Sequence, residues 1–355
     1  MSPLHTRLCE LIGVRYPIVQ TGMGWVSGPE LTAATANAGG LGILASATLN
    51  PDETLAAVRK IKERTDAPFG VNLRGDAPDA LDRARTLIHE GVRVASFAMA
   101  PPAEVIRELK DAGLVVIPSV GARRHAEKVA ALGVDAVLVQ GGEGGGHTGQ
   151  VATSILLPQI VDAIDLPVIA AGGYFDGRGL VAALAYGASG VAMGTRFLLT
   201  SDSTVPAVVK QAYLDAPVTG TVVTDAIDGV PQRVLRTPMV EQLAGGRRIV
   251  ASVRNAVALK RATGGTWPDV VREGLRMRRT RELRWDQVLM AANTPMMIRQ
   301  GMVDGRVDVG SLASGQVAGL IDDLPSCAEL IARIMAQAQA VLRDLTPDQA
   351  EVANV

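Results

Sequence analysis

From residue 17 to about residue 200, short apolar runs alternate with amphipathic ones. The apolar runs predict strands at 17–22, 40–45, 68–73, 93–98, 114–120, 136–141, 167–173 and 190–195. Several of them (LVVIP, AVLV, PVIAA) carry no polar position, as parallel strands covered on both faces require. The stretches between them, such as PDETLAAVRKIKERT and PPAEVIRELKDAG, have helical spacing. In the second, Val105, Ile106, Leu109 and Ala112 share one face. Seven such helices separate eight strands, the count of a closed (β/α)8 barrel. The expected fold is therefore α/β, a TIM barrel with an appended, mainly helical domain; an open doubly wound sheet is the alternative. No repeated side-chain pattern marks a solenoid.

Beyond residue 200 the pattern changes. Residues 201–310 hold few strand-like runs and many helical ones, punctuated by Gly-Gly at 245–246 and 264–265. The tail, 311–345, reads as helix returning to the barrel. The expected organisation is a barrel over 1–200, a helical substrate or lid domain over 201–310, and a C-terminal helical segment over 311–355.

Composition narrows the function. With 355 residues and 48% hydrophobic positions, a large core is available and wholesale disorder is excluded. Aromatics at 3% and a net charge of −1 argue against base stacking and against a DNA binder. Cys9 and Cys327 stand far apart with no metal-ligand spacing, and MSPLHTRLCELIG lacks the apolar stretch of a signal peptide. The charge-free run 31–50 is interrupted by Gly, Thr, Asn and Ser and reads as a buried helix–strand pair. The expectation is a soluble, cytoplasmic protein with no metal, no membrane span and no nucleic-acid partner. A homodimer is allowed without being indicated.

In this architecture ligands bind at the C-terminal ends of the strands. Here those ends carry QTGMGW, GVN, QGGEGGGHTG, AAGG and AMGT. Glycines let a backbone approach a ligand, and their N–H groups suit an anion. Gly172, Gly173, Gly194 and Thr195, after the seventh and eighth strands, are the phosphate candidates; glycine as a mere strand terminator is the competing reading. Residues 144–149 also satisfy G-x-G-x-x-G, a weak match in so glycine-rich a run. Of the four histidines, His147 alone falls at a strand's C-terminal mouth, where an imidazole can exchange a proton with substrate. A structural or ligand-orienting histidine is the alternative.

The near-zero net charge hides an asymmetry. Between residues 231 and 285 thirteen basic side chains stand against four acidic ones, a local net charge of +9. Arg272, Arg276 and Arg279 lie at i, i+4, i+7 spacing and would share a helical face. Such a cluster beside a phosphate-binding barrel suits an anionic substrate handle such as coenzyme A; a solvated face or subunit contact is the competing reading.

The series VQTGMGWVSGPELTAATANAGGLGILA, PFGVN, QGGEGGGHTG, AAGGYFDGRG and AMGTRF resembles the nitronate monooxygenase (2-nitropropane dioxygenase) superfamily of FMN-dependent barrels, which includes enoyl-thioester reductases. That resemblance implies FMN cradled by Gly22, Met23, Asn72, Gln140, Gly145, Gly146, Gly172, Gly173, Gly194 and Thr195, with phosphate by the last four. It implies that His147 is the proton-transfer group near the flavin. Gly22 stands where many nitronate oxidisers carry proline, which puts the nitronate substrate in doubt. Over the whole chain DGVPQRVLRTPMVEQL, WDQVLMAANTP and LASGQVAGLIDDLPSC resemble a subgroup from actinobacterial steroid catabolism. These are flavin dehydrogenases of hydroxy-indanone-carboxyl-CoA thioesters left from rings C and D. The resemblance implies FMN-dependent α,β-dehydrogenation of such a CoA thioester. Nitronate monooxygenation, NAD(P)H-dependent enoyl-thioester reduction and a non-enzymatic flavin-binding module are the alternatives.

Overall fold

The computed structural model describes residues 3–244 and 285–346. The chain divides into two compact units: residues 1–143, 149–204 and 323–355 form the first, and residues 144–148 and 205–322 the second.

Nine strands run in chain order to residue 193: β1 (Ile18–Gln20), β2 (Leu41–Ala45), β3 (Gly70–Arg74), β4 (Val94–Ala98), β5 (Val115–Val120), β6 (Val137–Gln140), the two-residue β7 (Gly146–His147), β8 (Val168–Ala171) and β9 (Gly190–Met193). All except β7 form a closed barrel in the order β1-β2-β3-β4-β5-β6-β8-β9. Val19 registers with Leu41 on one side and Ala192 on the other, which closes the ring. All eight strands read from the sequence are present, most of them trimmed at the ends. Pro17, Pro68 and Pro167 have no N–H to give a ladder, so the strands begin after them, although Pro17 O and Pro167 O still accept from Val191 N–H and Val137 N–H.

Val19, Ile43, Val94, Ile117, Leu138 and Ile169 form one buried cluster with Leu8 and Ile12 of the N-terminal helix Arg7–Ile12. Each such side chain contributes about 1.5–3 kcal/mol on burial. The carbonyls that end this helix would lack partners; Arg93, at the start of β4, donates to Leu11 O at 2.7 Å and to Ile12 O at 3.3 Å.

Seven helices separate the barrel strands: Pro29–Asn37, Pro51–Lys62, Ala80–His89, Ala103–Asp111, Arg123–Ala130, Thr153–Val161 and Gly177–Ala185. The second starts with a capping box, in which Asn50 Oδ1 accepts from Glu53 N–H and Glu53 Oε2 accepts from Asn50 N–H, both at 2.8 Å. In Ala103–Asp111 the residues Val105, Ile106 and Leu109 are buried as their spacing predicts. Ala112 is exposed, because the helix ends before it and Gly113 turns the chain.

After β9 only a four-residue helix, Thr195–Leu198, follows directly. The eighth helical position is filled instead by Cys327–Leu345, which packs on Gly177–Ala185 and on Pro29–Asn37. Ser326 and Glu329 cap it. Three links fix where it rejoins the barrel: Arg196 Nη1 donates to Asp323 Oδ1 at 2.9 Å, Ser201 N–H to Pro325 O at 2.9 Å, and Cys327 N–H to Asp202 Oδ2 at 2.6 Å.

The second unit holds the helices Ala207–Leu214, Pro238–Ala244 and Trp285–Met302, a 3-10 turn at Gln316–Leu320, and the strands β10 (Thr221–Thr224) and β11 (Gln232–Leu235). These strands pair antiparallel, and β7 adds to the other edge of β11. Ala226, Ile227, Val234, Val240 and Met297 form its core. Tyr213 is fully buried, its hydroxyl donating to Ala313 O at 2.7 Å, and burial pushes its phenol up. The sequence reading set boundaries after residues 200 and 310; the contacts divide the chain after Thr204 and Asp322 and move 144–148 into the second unit. The reason is local. Residues 312–314 bond along β11, through Leu235 N–H to Leu312 O and Ser314 N–H to Arg233 O, so the tail becomes helical for the barrel only from Cys327.

Candidate active site

In the first unit the flavin candidates sit at the C-terminal rim of the barrel. Gly22 and Met23 follow β1, Asn72 lies on β3, Gln140 ends β6, Gly172 and Gly173 follow β8, and Gly194 and Thr195 follow β9. The loop after β1 is held from beneath by two buried polar side chains. Gln20 Nε2 donates to Ser27 Oγ at 2.8 Å, and Ser27 Oγ accepts from Met23 N–H at 2.9 Å and donates to Thr21 O at 2.8 Å. This brings Gly22 against Asn72: a Cβ at Gly22 would stand 2.5 Å from Asn72 Cβ. No other residue fits there without displacing Asn72, whose Nδ2 donates to Ser96 Oγ at 3.2 Å. The same loop meets β9, since a Cβ at Gly194 would lie 3.3 Å from Met23 Sδ. β1, β3 and β9 therefore bring Gly22, Met23, Asn72 and Gly194 into one patch.

β8 and β9 are neighbours, with Ala171 in register with Ala192. Gly172 and Gly173 follow with φ of +94° and +87°, a left-handed pair that side chains rarely adopt. Beside them, Glu143 Oε2 accepts from Thr153 N–H at 2.9 Å and Thr153 Oγ1 at 2.7 Å, which caps the helix Thr153–Val161. Thr153 Oγ1 also reaches Gly172 O at 3.0 Å and so ties the β6 and β8 ends together. Burial, with the Glu143 charge added, pushes the Tyr174 phenol up. At the opposite end of the barrel an open depression of about 480 Å³ is lined by Arg7, Leu11, Val134 and Pro167; it lies at the strand N-termini, where this architecture does not place its chemistry.

His147, Gly145 and Gly146 belong to the second unit. β7 lies along β11 with Gln232 opposite His147 and Arg233 opposite Gly146, and Thr148 N–H donates to Pro231 O at 3.2 Å. Next to it, a Cβ at Gly145 would stand 2.6 Å from Gly315 N, so only glycine lets this strip lie beside 314–315. Packing within the second unit thus accounts for Gly145 without a ligand.

The His147 side chain is 59% exposed, and its Nε2 lies 2.6 Å from Oδ2 of Asp228, which is 9% exposed. Asp228 Oδ1 accepts from Val230 N–H at 3.1 Å. Burial alone would raise this carboxyl; hydrogen bonds from His147 and Val230, with the charge of His147, instead hold it below the ordinary aspartate value. Sequence reasoning missed Asp228. It lies 81 residues from His147, and its one signal is a lone acid in the turn IDGVPQ.

Arg272, Arg276 and Arg279 lie outside the described residues. Among the described residues, no group of three or more His, Cys, Asp or Glu is placed to hold a metal, and no helix is long and apolar enough to cross a membrane.

Comparison with known proteins bears on this geometry. The nitronate monooxygenase family model matches residues 5–90 and 84–337. The chain is 62% identical over 94% of its length, and 96% of the relative's, to (3aS,4S,5R,7aS)-5-hydroxy-7a-methyl-1-oxo-octahydro-1H-indene-4-carboxyl-CoA dehydrogenase of Mycobacterium tuberculosis. To the Rhodococcus jostii protein of the same name it is 59% identical, over 95% of this chain and 97% of that one. The structure of FabK from Thermotoga maritima superposes with a TM-score of 0.78 at 36% identity, covering 96% of this chain and 98% of that one. With a family model that spans nearly its whole length and relatives of this identity, the chain belongs to the nitronate monooxygenase family.

Proposed function

We propose that this chain is a cytoplasmic, FMN-dependent dehydrogenase that introduces an α,β double bond into a bicyclic hydroxy-indanone-carboxyl-CoA thioester in steroid ring C/D degradation. The observation that carries the reading is the 62% identity to a dehydrogenase named for such a thioester, sustained over 94% of the chain.

The barrel rim fits an FMN. Neighbouring strand ends offer the backbone N–H groups of Gly172, Gly173, Gly194 and Thr195, three of the four without a side chain, a donor set suited to a phosphate. Gly22, Met23, Asn72 and Gln140 are assigned to the rest of the cofactor. When bound, the flavin supplies an acceptor for the hydride leaving the substrate Cβ. The chain's own task is the proton. The thioester carbonyl acidifies the Cα–H, and His147, side chain more than half exposed, accepts that proton on its imidazole. Asp228 then balances the positive ring. Arg272, Arg276 and Arg279 are assigned to the coenzyme A handle, so replacing Arg276 and Arg279 with alanine raises KM for the thioester.

The test is to mix the purified flavoprotein anaerobically with a hydroxylated indanone-carboxyl-CoA. Bleaching of the flavin band with a product lighter by two hydrogens supports the reading. An oxidised flavin with that thioester, but bleaching with a simple nitronate, replaces it with nitronate oxidation. His147→Ala lowers kcat by about 10²–10⁴-fold while the flavin stays bound.

A further inference from the structure

We infer that Asp228 is the positioning residue for His147: it holds the Nε2 edge of the imidazole and thereby assigns proton transfer to Nδ1. The inference deepens the proposed function and rests on His147 being its base.

Four observations carry it. An ionised carboxylate only accepts hydrogen bonds, so at 2.6 Å the Nε2 facing Asp228 Oδ2 carries the proton. The neutral ring then has Nδ1 as its acceptor, and that is the atom that takes up a substrate proton. The carboxylate is itself fixed, because Asp228 accepts from Val230 N–H two residues on, an Asx turn that ties the side chain to its own loop. The backbone of His147 is fixed by the same loop, since β11 begins at Gln232, directly opposite His147. Ring and backbone are therefore both referenced to residues 228–232.

Exposure separates the two roles. His147 is 59% exposed, whereas Asp228 is 9% exposed. One partner is open to a ligand and the other is covered, the division expected of a proton-transfer group and its orienting acid. A carboxylate serving only the turn would need Oδ1 alone. Oδ2 at hydrogen-bond distance from an exposed imidazole is what the turn does not explain.

The proposal is tested with Asp228→Asn, His147→Gln and the double variant, each as the flavin-loaded full chain. Asp228→Asn lowers kcat by about 10–100-fold, the cost of losing a partner that orients a functional histidine. KM for the thioester stays within about 2-fold, and flavin content is unchanged. In the His147→Gln background the same substitution costs less than about 2-fold more, because the group it positions is gone. Losses that multiply in the double variant, or an unchanged kcat in Asp228→Asn, overturn the proposal. A second readout needs no substrate. The Nε2–H bonded to Asp228 gives a far-downfield proton resonance in the wild type at low temperature, absent from both single variants. A wild type without that resonance overturns the pairing. If the thioester fails to bleach the wild-type flavin, the functional reading falls while the resonance and its loss in Asp228→Asn still decide the pairing. If Asp228→Asn does not fold, the resonance in the wild type and its loss in His147→Gln decide it.

Discussion

Replacing Asp323 with asparagine tests how the barrel holds the end of its own chain. Asp323 sits between two arginines of unequal burial. Arg196, 3% exposed, donates from Nη1 to Oδ1 at 2.9 Å, and Arg333, 53% exposed, donates from Nη1 to Oδ2 at 2.6 Å. Burial would raise this carboxyl, but both arginines bring it below the ordinary aspartate range. Taking the partner from a buried ion costs about 3–5 kcal/mol. Asp323 is 35% exposed and the Arg196 guanidinium keeps bonds to Leu199 O and Asp323 O, so the expected cost is about 2–3 kcal/mol. At roughly 2–4 °C per kcal/mol, that lowers Tm by about 4–12 °C. Arg333→Ala breaks only the water-facing half and costs at most about 1 kcal/mol, under about 4 °C. Thermal unfolding of the flavin-loaded protein, followed by flavin release, reads both variants side by side. The reasoning fails if the two variants lose the same stability, or if Asp323→Asn melts with the wild type, for then burial of Arg196 would not set the cost.

Gly22→Ala drives a Cβ into Asn72 and costs about 1–3 kcal/mol of overpacking, with flavin occupancy falling alongside Tm; full occupancy in a stable variant would show that Asn72 yields. Cys327 is fully buried and burial pushes its thiol up to about 12, while Cys9 is 1% exposed, so the native protein at pH 8 gives no rapid thiol titre and both cysteines react on unfolding. The lowered Asp228 carboxyl gives a pH signature. Its contribution to stability is complete above the unfolded aspartate value of about 4 and is lost as pH falls through the lower folded value. The Tm difference between wild type and Asp228→Asn should therefore shrink as pH falls below about 4.

The barrel was legible because its signal is local. Eight apolar runs and seven amphipathic helices each announce themselves within a dozen residues, and proline or glycine marks most ends. The antiparallel sheet of the second unit was not. TVVT and QRVL are four residues each and mixed in polarity, and their third strand is two residues of a glycine loop, paired across 85 residues or more of chain that carries no periodic trace of the pairing. Candidate residues divide the same way. His147 and the glycines stand at strand ends that the pattern locates, whereas Asp228 meets His147 only through that sheet. The glycines were visible and their reasons were not, since Gly22 answers to Asn72 and Gly145 to Gly315, contacts that no spacing encodes.

That the eighth helix comes from Cys327–Leu345 sets an order of events on the ribosome. The last barrel strand ends at Met193, and at about 5–20 residues per second the roughly 130 residues before Cys327 take about 7–25 s to synthesise. During that interval the faces of Gly177–Ala185 and Pro29–Asn37 that the helix will cover stay open to water, although every strand of the ring has been made. The nascent barrel thus stands with one wall open for more than a third of its own translation. A message truncated just before the codon for Cys327 would yield a protein with all eight barrel strands, every glycine of the rim, and one wall missing.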